Sequence, residues 1–414
     1  ITWSGTFTPT AGEEEQSNEL SLATSYTDTA GNSGPSATTA NYEVDTLAPS
    51  VSSIVISSAT GIQNNFLNAG DNVSVTVTFS EVVNKTGTPQ LTLAVGDDNR
   101  TATYASGTGN APLVFTYTIQ AGDNDTNGIS IRADAIALDN GTISDPAGNN
   151  ATLTHNAVSD NNSYMVDTEA PRVDNFTLSD TALKIGDNAT VNLGFSEAVI
   201  EFIASDITNP NGSLPSMTSS DNITWTGIFT PATNTEVASN RFSLGSSSYT
   251  DLAGNAGPSE TTAYYEVETR APTVSSVEIT RGTGMKNNFL NASDPAGGDV
   301  LTLSVIFRES VIIDNASGNP TLTLAVGDDN QTATYTSGDN STTLVFQYTI
   351  RAGDTDTNGI SIGANALALN NSTIRDTADN YATNLNHDTV TNNFSYKVDT
   401  TPPTVNSVAI TSGT

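Results

Sequence analysis

Residues 72–81 read NVSVTVTFSE, which places Val73, Val75, Val77 and Phe79 on one face of an extended segment and small polar residues on the other. The segment VLTLSVIFRE at 300–309 repeats the alternation with Leu301, Leu303, Val305 and Phe307. A period of two is that of a strand with one buried face. Turn-forming clusters such as GDDN, NPNG and AGN punctuate the chain, spacing the strands at roughly 8 to 12 residues. Regular amphipathic helix patterns are hard to find. The pattern predicts an all-β protein of tandem immunoglobulin-like β-sandwich domains arranged end to end, without the cysteine pair of antibody domains.

The chain also repeats itself, and the repeats set the boundaries. YTDTAGNSGPSATTANYEVDTLAPSV at 26–51 returns as YTDLAGNAGPSETTAYYEVETRAPTV at 249–274, and ITWSGTFTP at 1–9 returns as ITWTGIFTP at 223–231. QLTLAVGDDNRTATY at 90–104 and AGDNDTNGISI at 121–131 come back at 321–335 and 352–362. Two unit types emerge. A long unit spans 46–167 and again 269–399, and a short unit spans 168–268. Residues 1–45 correspond to the C-terminal half of a short unit, and 400–414 to the first strand of a further unit. Half a sandwich cannot bury a core, so the chain is expected to be a piece of a longer array.

Composition sharpens this picture. With 45 Asp and Glu against 13 Lys and Arg, the formal charge is −32, a surface that repels nucleic acid and anionic lipid and attracts cations. The absence of Cys removes disulfides, thiolate metal sites and a Cys nucleophile. No apolar run is long enough to span a bilayer, and ITWSGTFTPT has neither the basic start nor the apolar stretch of a signal peptide. About 18 asparagines lie in N-x-[ST] sequons, among them Asn99 and Asn330. They are either glycan acceptors or the by-product of an Asn- and Thr-rich composition.

The combination of FSEAV at 195–199, NPNGSLPSMTSSDNITWTGIFTPA at 209–232, YTDLAGNAG at 249–257 and the VDTxAP linkers resembles the bacterial Ig-like repeats of giant secreted surface proteins, including RTX and biofilm-associated adhesins. The resemblance runs through essentially the whole chain and implies a long extracellular stalk or fibre stiffened by calcium. The chain departs from the pattern at VET (267–269), FRES (307–310) and DTADN (376–380).

Three recurring acidic motifs are expected to meet at the pole that receives the linker from the preceding unit. They are Asp45, Glu81, Asp145 and Asn149 in the first long unit; Asp167, Glu197, Asp251 and Asn255 in the short unit; and Glu268, Glu309, Asp376 and Asn380 in the second long unit. Carboxylates crowded at one pole are costly without a cation, and hard oxygen ligands suit Ca²⁺. The alternative is that Asp and Asn make the turns and Glu ends a strand. DNDTNG at 123–128 and DTDTNG at 354–359 fit an abbreviated calcium loop through Asp123, Asp125, Asn127 and Asp354, Asp356, Asn358, with a plain turn as the alternative. Asp71, Asp187 and Asp299 are read as turn residues.

Little in the chain suits catalysis. His155 and His387, the only histidines, occupy matching places in the long units, and Trp3 and Trp225 match likewise, which argues for structural slots. The leading expectation is therefore a structural stalk or fibre segment, with neighbouring repeats as partners and Ca²⁺ as the cofactor. The rivals are a module that binds glycans, ice or another cell directly, and a subunit that assembles head to tail into filaments. Neither nucleic acid nor membrane insertion is expected.

Overall fold

A computed structural model describes residues 1–292 and 297–409. Apart from one short 3₁₀ turn at Ala204–Asp206, the regular elements are strands.

In residues 46–167 the large sheet is built around strand Asn72–Thr86, which pairs antiparallel with Val51–Thr60 on one side and with Asn110–Thr118 on the other. Asp98–Ser106 and Gln90–Val95 extend the sheet outward. A small second sheet of Asn124–Asp125, Met165–Asp167 and Phe66–Leu67 packs across from it, so Leu67 and Val166 join the core of Val75, Leu93, Leu113 and Phe115. The alternation read from 72–79 holds, with the valines and Phe79 buried. Residues 269–399 repeat this plan with Val300–Asp314 as the central strand. The short unit packs Ala189–Phe195, Val173–Leu178 and Thr224–Pro231 against strands that include Tyr265–Glu268, with Phe229, Phe242, Tyr249 and Tyr265 between them.

The central strand of a long unit does not run straight. Its pairing with Asn110–Thr118 skips from Thr78 to Val83, leaving 79–82 as an extended bulge, after which Asn84–Thr86 pairs with Thr142–Ser144. The equivalent skip in the second long unit runs from Ile306 to Val311. Bulges re-aim side chains, and these two turn Glu81 and Glu309 toward the leading pole. In the short unit the strand instead breaks between Phe195 and Val199, again at its glutamate, Glu197.

Residues 1–45 keep the local geometry of a short unit but not its core. Asn18 donates to the Glu15 and Tyr42 carbonyls just as Asn240 donates to those of Val237 and Tyr265. Yet Phe7 is 54% exposed where Phe229 is fully buried, and Val44 is the one buried apolar side chain among these residues. At the other end, residues 401–409 carry no strand, and 410–414 lie outside the described residues.

Phe115→Ala should cost about 3–5 kcal/mol, the range for emptying a fully buried aromatic position. Thr116→Ala, one residue on and facing outward, should change stability by no more than about 0.5 kcal/mol. Urea titration of the two variants checks this.

Candidate metal centres at the domain junctions

Each leading pole carries a loop of the form D-x-A-x-N, and its aspartate and asparagine hold it closed. Asp145 Oδ1 accepts from the Gly148 and Asn149 amides, while Asn149 Nδ2 donates to Asp145 Oδ2. Asp251 with Asn255, and Asp376 with Asn380, repeat the arrangement. The turn needs a left-handed residue: Gly148 has φ +100°, Gly254 φ +88°, and in DTADN Asp379 takes φ +72°, a conformation Asp tolerates better than most residues. The asparagine amide then reaches the incoming linker, donating to the backbone carbonyls of Asp45, Asp167 and Glu268 at 3.1, 3.0 and 2.8 Å. Through their amide nitrogens, the three asparagines expected as ligands thus clamp the linkers. Asn380 is fully engaged, since its Oδ1 also accepts the amide of Ile185 from the short unit.

This clamp draws each linker carboxylate toward the loop aspartate and the bulge glutamate. In two places the convergence is close: one carboxylate oxygen from each of Asp45, Glu81 and Asp145 lies within 4.8 Å of the others, and the same is true of Asp167, Glu197 and Asp251. Asp145 and Asp251 are buried, and the other four are half-buried. Burial, reinforced by Asp167 and Asp251, pushes the Glu197 carboxyl up to about 7. Burial and then Asp45 and Asp145 raise Glu81, and burial followed by Asp251 raises Asp167. Three acidic oxygens in one partly dehydrated spot form a hard-oxygen donor set that fits Ca²⁺, with its six to eight ligands completed by bidentate carboxylates and water.

The third junction differs. Glu268, Glu309 and Asp376 occupy the corresponding places; burial, then Glu309 and Asp376, raise Glu268, and burial, then Asp376, raise Glu309. Among the described residues, however, only the first two triads close to within 4.8 Å. Glu268 Oε1 accepts the Arg270 amide just as Asp45 and Asp167 accept the amides of Leu47 and Glu169, but here the Arg270 guanidinium, paired with Glu236, holds the Glu309 carboxyl down against its other influences. An arginine thus stands at the linker position held by Leu47 and Glu169 in the other two, and supplies part of the positive charge.

The D-x-D-x-N-G segments pair with the linker strands at the trailing poles, Asn124 opposite Asp167 and Thr355 opposite Asp399. Asp123 accepts from Arg100 Nε at 2.5 Å, from the Tyr117 hydroxyl at 2.6 Å and from the Gln120 amide. Asp125 accepts the amides of Gly96, Asn127 and Gly128, and Asn127 Nδ2 donates to Asp160. In the second long unit Asp354 takes Tyr348 and Arg351, and Asp356 takes Gly327, Asn358 and Gly359. Both oxygens of each buried carboxylate are bonded to protein donors, as both oxygens of Asp145 and Asp251 are in the junction loops. Asp71 and Asp187 accept the backbone amides of Asn68 and Lys184 in tight turns, and Asp299 accepts that of Asn291.

The linker threonine was not singled out by sequence reasoning. Thr168 Oγ1 donates to the Asp123 carbonyl and accepts the Gly122 amide, and Thr400 does the same with Asp354 and Gly353. Thr46 and Thr269 donate to Thr10 and Ala232. The invariant Thr after the linker acid was the available signal. Both histidines are tied up by backbone: the Nε2 atoms of His155 and His387 accept the Ala135 and Ala366 amides, leaving Nδ1 to donate to the next carbonyl. Trp225 packs edge-on against Phe202.

Residues 1–44 and 167–267 match the family model described as a bacterial Ig-like domain. These are the two occurrences of the short unit. No curated protein matches the chain. Among solved structures, the Escherichia coli adhesin FdeC is similar over 84% of this chain and 99% of its own, at 11% identity and a TM-score of 0.24. The N-terminal eight Ig domains of Down syndrome cell adhesion molecule cover 79% of this chain and 35% of theirs, at 12% identity and a TM-score of 0.21. The extracellular region of plexin A4 covers 82% and 34%, at 8% identity and a TM-score of 0.21.

Two outcomes follow from the geometry. A glutamate whose folded pKa is raised holds its proton more tightly in the native state, so in chelator the short unit should lose stability as pH rises from about 4.5 to about 7 and level off above. Glu197→Gln should flatten that slope, as thermal melts across pH will record. Asp356→Ala strips three backbone amides of a buried charged acceptor and should destabilise by about 3 kcal/mol. If Asp356 acts only in the turn, denaturant titration gives the same loss with calcium and with chelator.

Proposed function

We propose that this chain is a stalk segment of a large extracellular surface protein of the RTX or biofilm-associated adhesin kind, stiffened by calcium at its junctions. The observation that carries the reading is the pair of carboxylate triads. Each draws one oxygen from the end of one unit and two from the next, at the point where a Pro-containing linker joins them. A cation bound there bridges two domains, which a loop site inside one domain would not do. Asp45, Glu81 and Asp145 would hold one ion and Asp167, Glu197 and Asp251 another; the ion would offset the burial and neighbouring charges that raise the Glu197 carboxyl. At the third junction Arg270 supplies some of that charge. Adjacent repeats are the immediate partners, and no catalytic role is proposed.

Native material would also carry sugar on exposed sequons. Asn99 and Asn330 both lie exposed on hairpin strands, at matching positions. Intact mass before and after deglycosylation of native protein should differ, and bare Asn at both positions would return the sequons to composition.

Extracellular calcium modules bind at about 10⁻⁴ to 10⁻³ M, and filling a site to 100 times its dissociation constant adds about 2.7 kcal/mol. Calcium should therefore raise the melting temperature and extend the maximum dimension in small-angle scattering. Magnesium should do so poorly, because it requires a tight octahedron and keeps its water. An Asp167→Ala, Glu197→Ala double variant should lose the response at the second junction alone. Identical melting and scattering in calcium and chelator would reduce the triads to ordinary turn and strand-end residues.

A further inference from the structure

The two long units share one plan, and the second carries a groove on its surface. The groove, of about 1020 Å³, runs beside strands Thr321–Val326 and Ile360–Ile362 and the strand Val390–Asn393 that pairs with the latter. Ser361 and Gly363 line it with little bulk, Thr391 and Asn392 with a hydroxyl and an amide, and Phe394 with an aromatic ring. None of the residues lining it is charged, in a chain of 45 acids and 13 bases.

The fold does not require this lining. Where the second long unit has Gly363, Asn365, Asn392 and Phe394, the first has Arg132, Asp134, Asp160 and Asn162. Gly363 has no left-handed φ, and the place an added Cβ would take is open space. Neither reason that usually demands glycine applies, so its effect is to keep the groove clear. Asn365 does the structural work of Asp134: each takes a positive φ and accepts the backbone amide of its unit's histidine, His387 or His155, at 3.1 Å. The turn that carries Phe394 also forms without it, since Asn161 accepts the Ser163 amide as Asn393 accepts that of Ser395. Phe394 is 64% exposed. Asn162 is exposed with the short unit following it, so a following unit leaves this position open.

We propose that this groove binds a neutral oligosaccharide, with Phe394 stacked on the apolar face of one pyranose ring and the Thr and Asn side chains bonded to sugar hydroxyls. With neutral residues in the places of Arg132, Asp134 and Asp160, the lining offers no charge to attract an ion. A purely apolar ligand would cover the hydroxyls and amides without pairing them, at a cost. A sugar pairs them and still presents C–H groups to the ring, which matches a lining of one aromatic and a few polar groups. Asn330 also lines the groove and is a sequon asparagine, so sugar attached to it would fill the groove, and the binding form is the one with Asn330 unmodified. The site lies within one unit and does not depend on calcium at the junctions.

Saturation-transfer NMR of the chain, produced without glycosylation, with cellohexaose, maltohexaose and N-acetylchitohexaose tests this. At least one of the three should bind at about 1 mM, in calcium and in chelator alike. Phe394→Ala should weaken that sugar by about tenfold, the upper end for a stacked ring, and Phe394→Tyr should keep it. Gly363→Arg, which restores the first unit's residue, should abolish binding. Both positions are exposed, so melting at the parental temperature is the control for folding. Silence from all three sugars at about 1 mM, or binding untouched by both Phe394→Ala and Gly363→Arg, would overturn the proposal. So would preferential binding of an anionic oligogalacturonate or of an alternating Ala-Thr peptide.

Discussion

The arrangement of this chain depends on one small interaction repeated at every leading pole: an aspartate that accepts two backbone amides of its own loop, and an asparagine that ties the loop to the linker. Asp Oδ1 is saturated by the loop, so the remaining oxygen and the Asn amide are fixed in direction. That fixes where the next linker runs. Because the asparagine donates to the carbonyl of the linker acid itself, the acid's side chain is held beside the loop whether or not a cation is present. In the short unit, the Leu252 and Ala253 carbonyls of the same closed loop accept the side-chain amides of Asn64 and Asn68 from the preceding long unit.

Charge sets the second constraint. A chain with 45 acids and 13 bases cannot pair its carboxylates internally, and the three junctions show different answers. Two leave three oxygens facing one another. The third brings Arg270 near Glu309. Inside the long units the same shortage is met by hydrogen bonds. Asp123 has Arg100, but Asp354, at the matching position, has Gln331, Tyr348 and the Arg351 amide instead. The matching aspartate sites therefore tolerate the loss of a cation, because hydroxyl and amide donors satisfy the buried oxygens.

The period-two alternation determined the all-β class and the buried faces, because burial on one side of a sheet forces every second residue to be apolar. The recurrence of Asp, Glu and Asn singled out the residues that meet at each junction, since loop closure and linker position are local properties of D-x-A-x-N and D-T-x-A-P. Tertiary structure alone decided which carboxylates come within coordinating distance. The difference between the second and third junctions turns on where the Arg270 guanidinium goes, and a spacing of residues does not encode that direction. D-x-D-x-N-G was ambiguous for the same reason: alternate acids in a tight loop suit a cation or the loop's own amides equally well. Only the folded positions of Gly96, Tyr117 and Arg100, each distant in sequence from the loop or set on another strand, supply the donors that fill those oxygens.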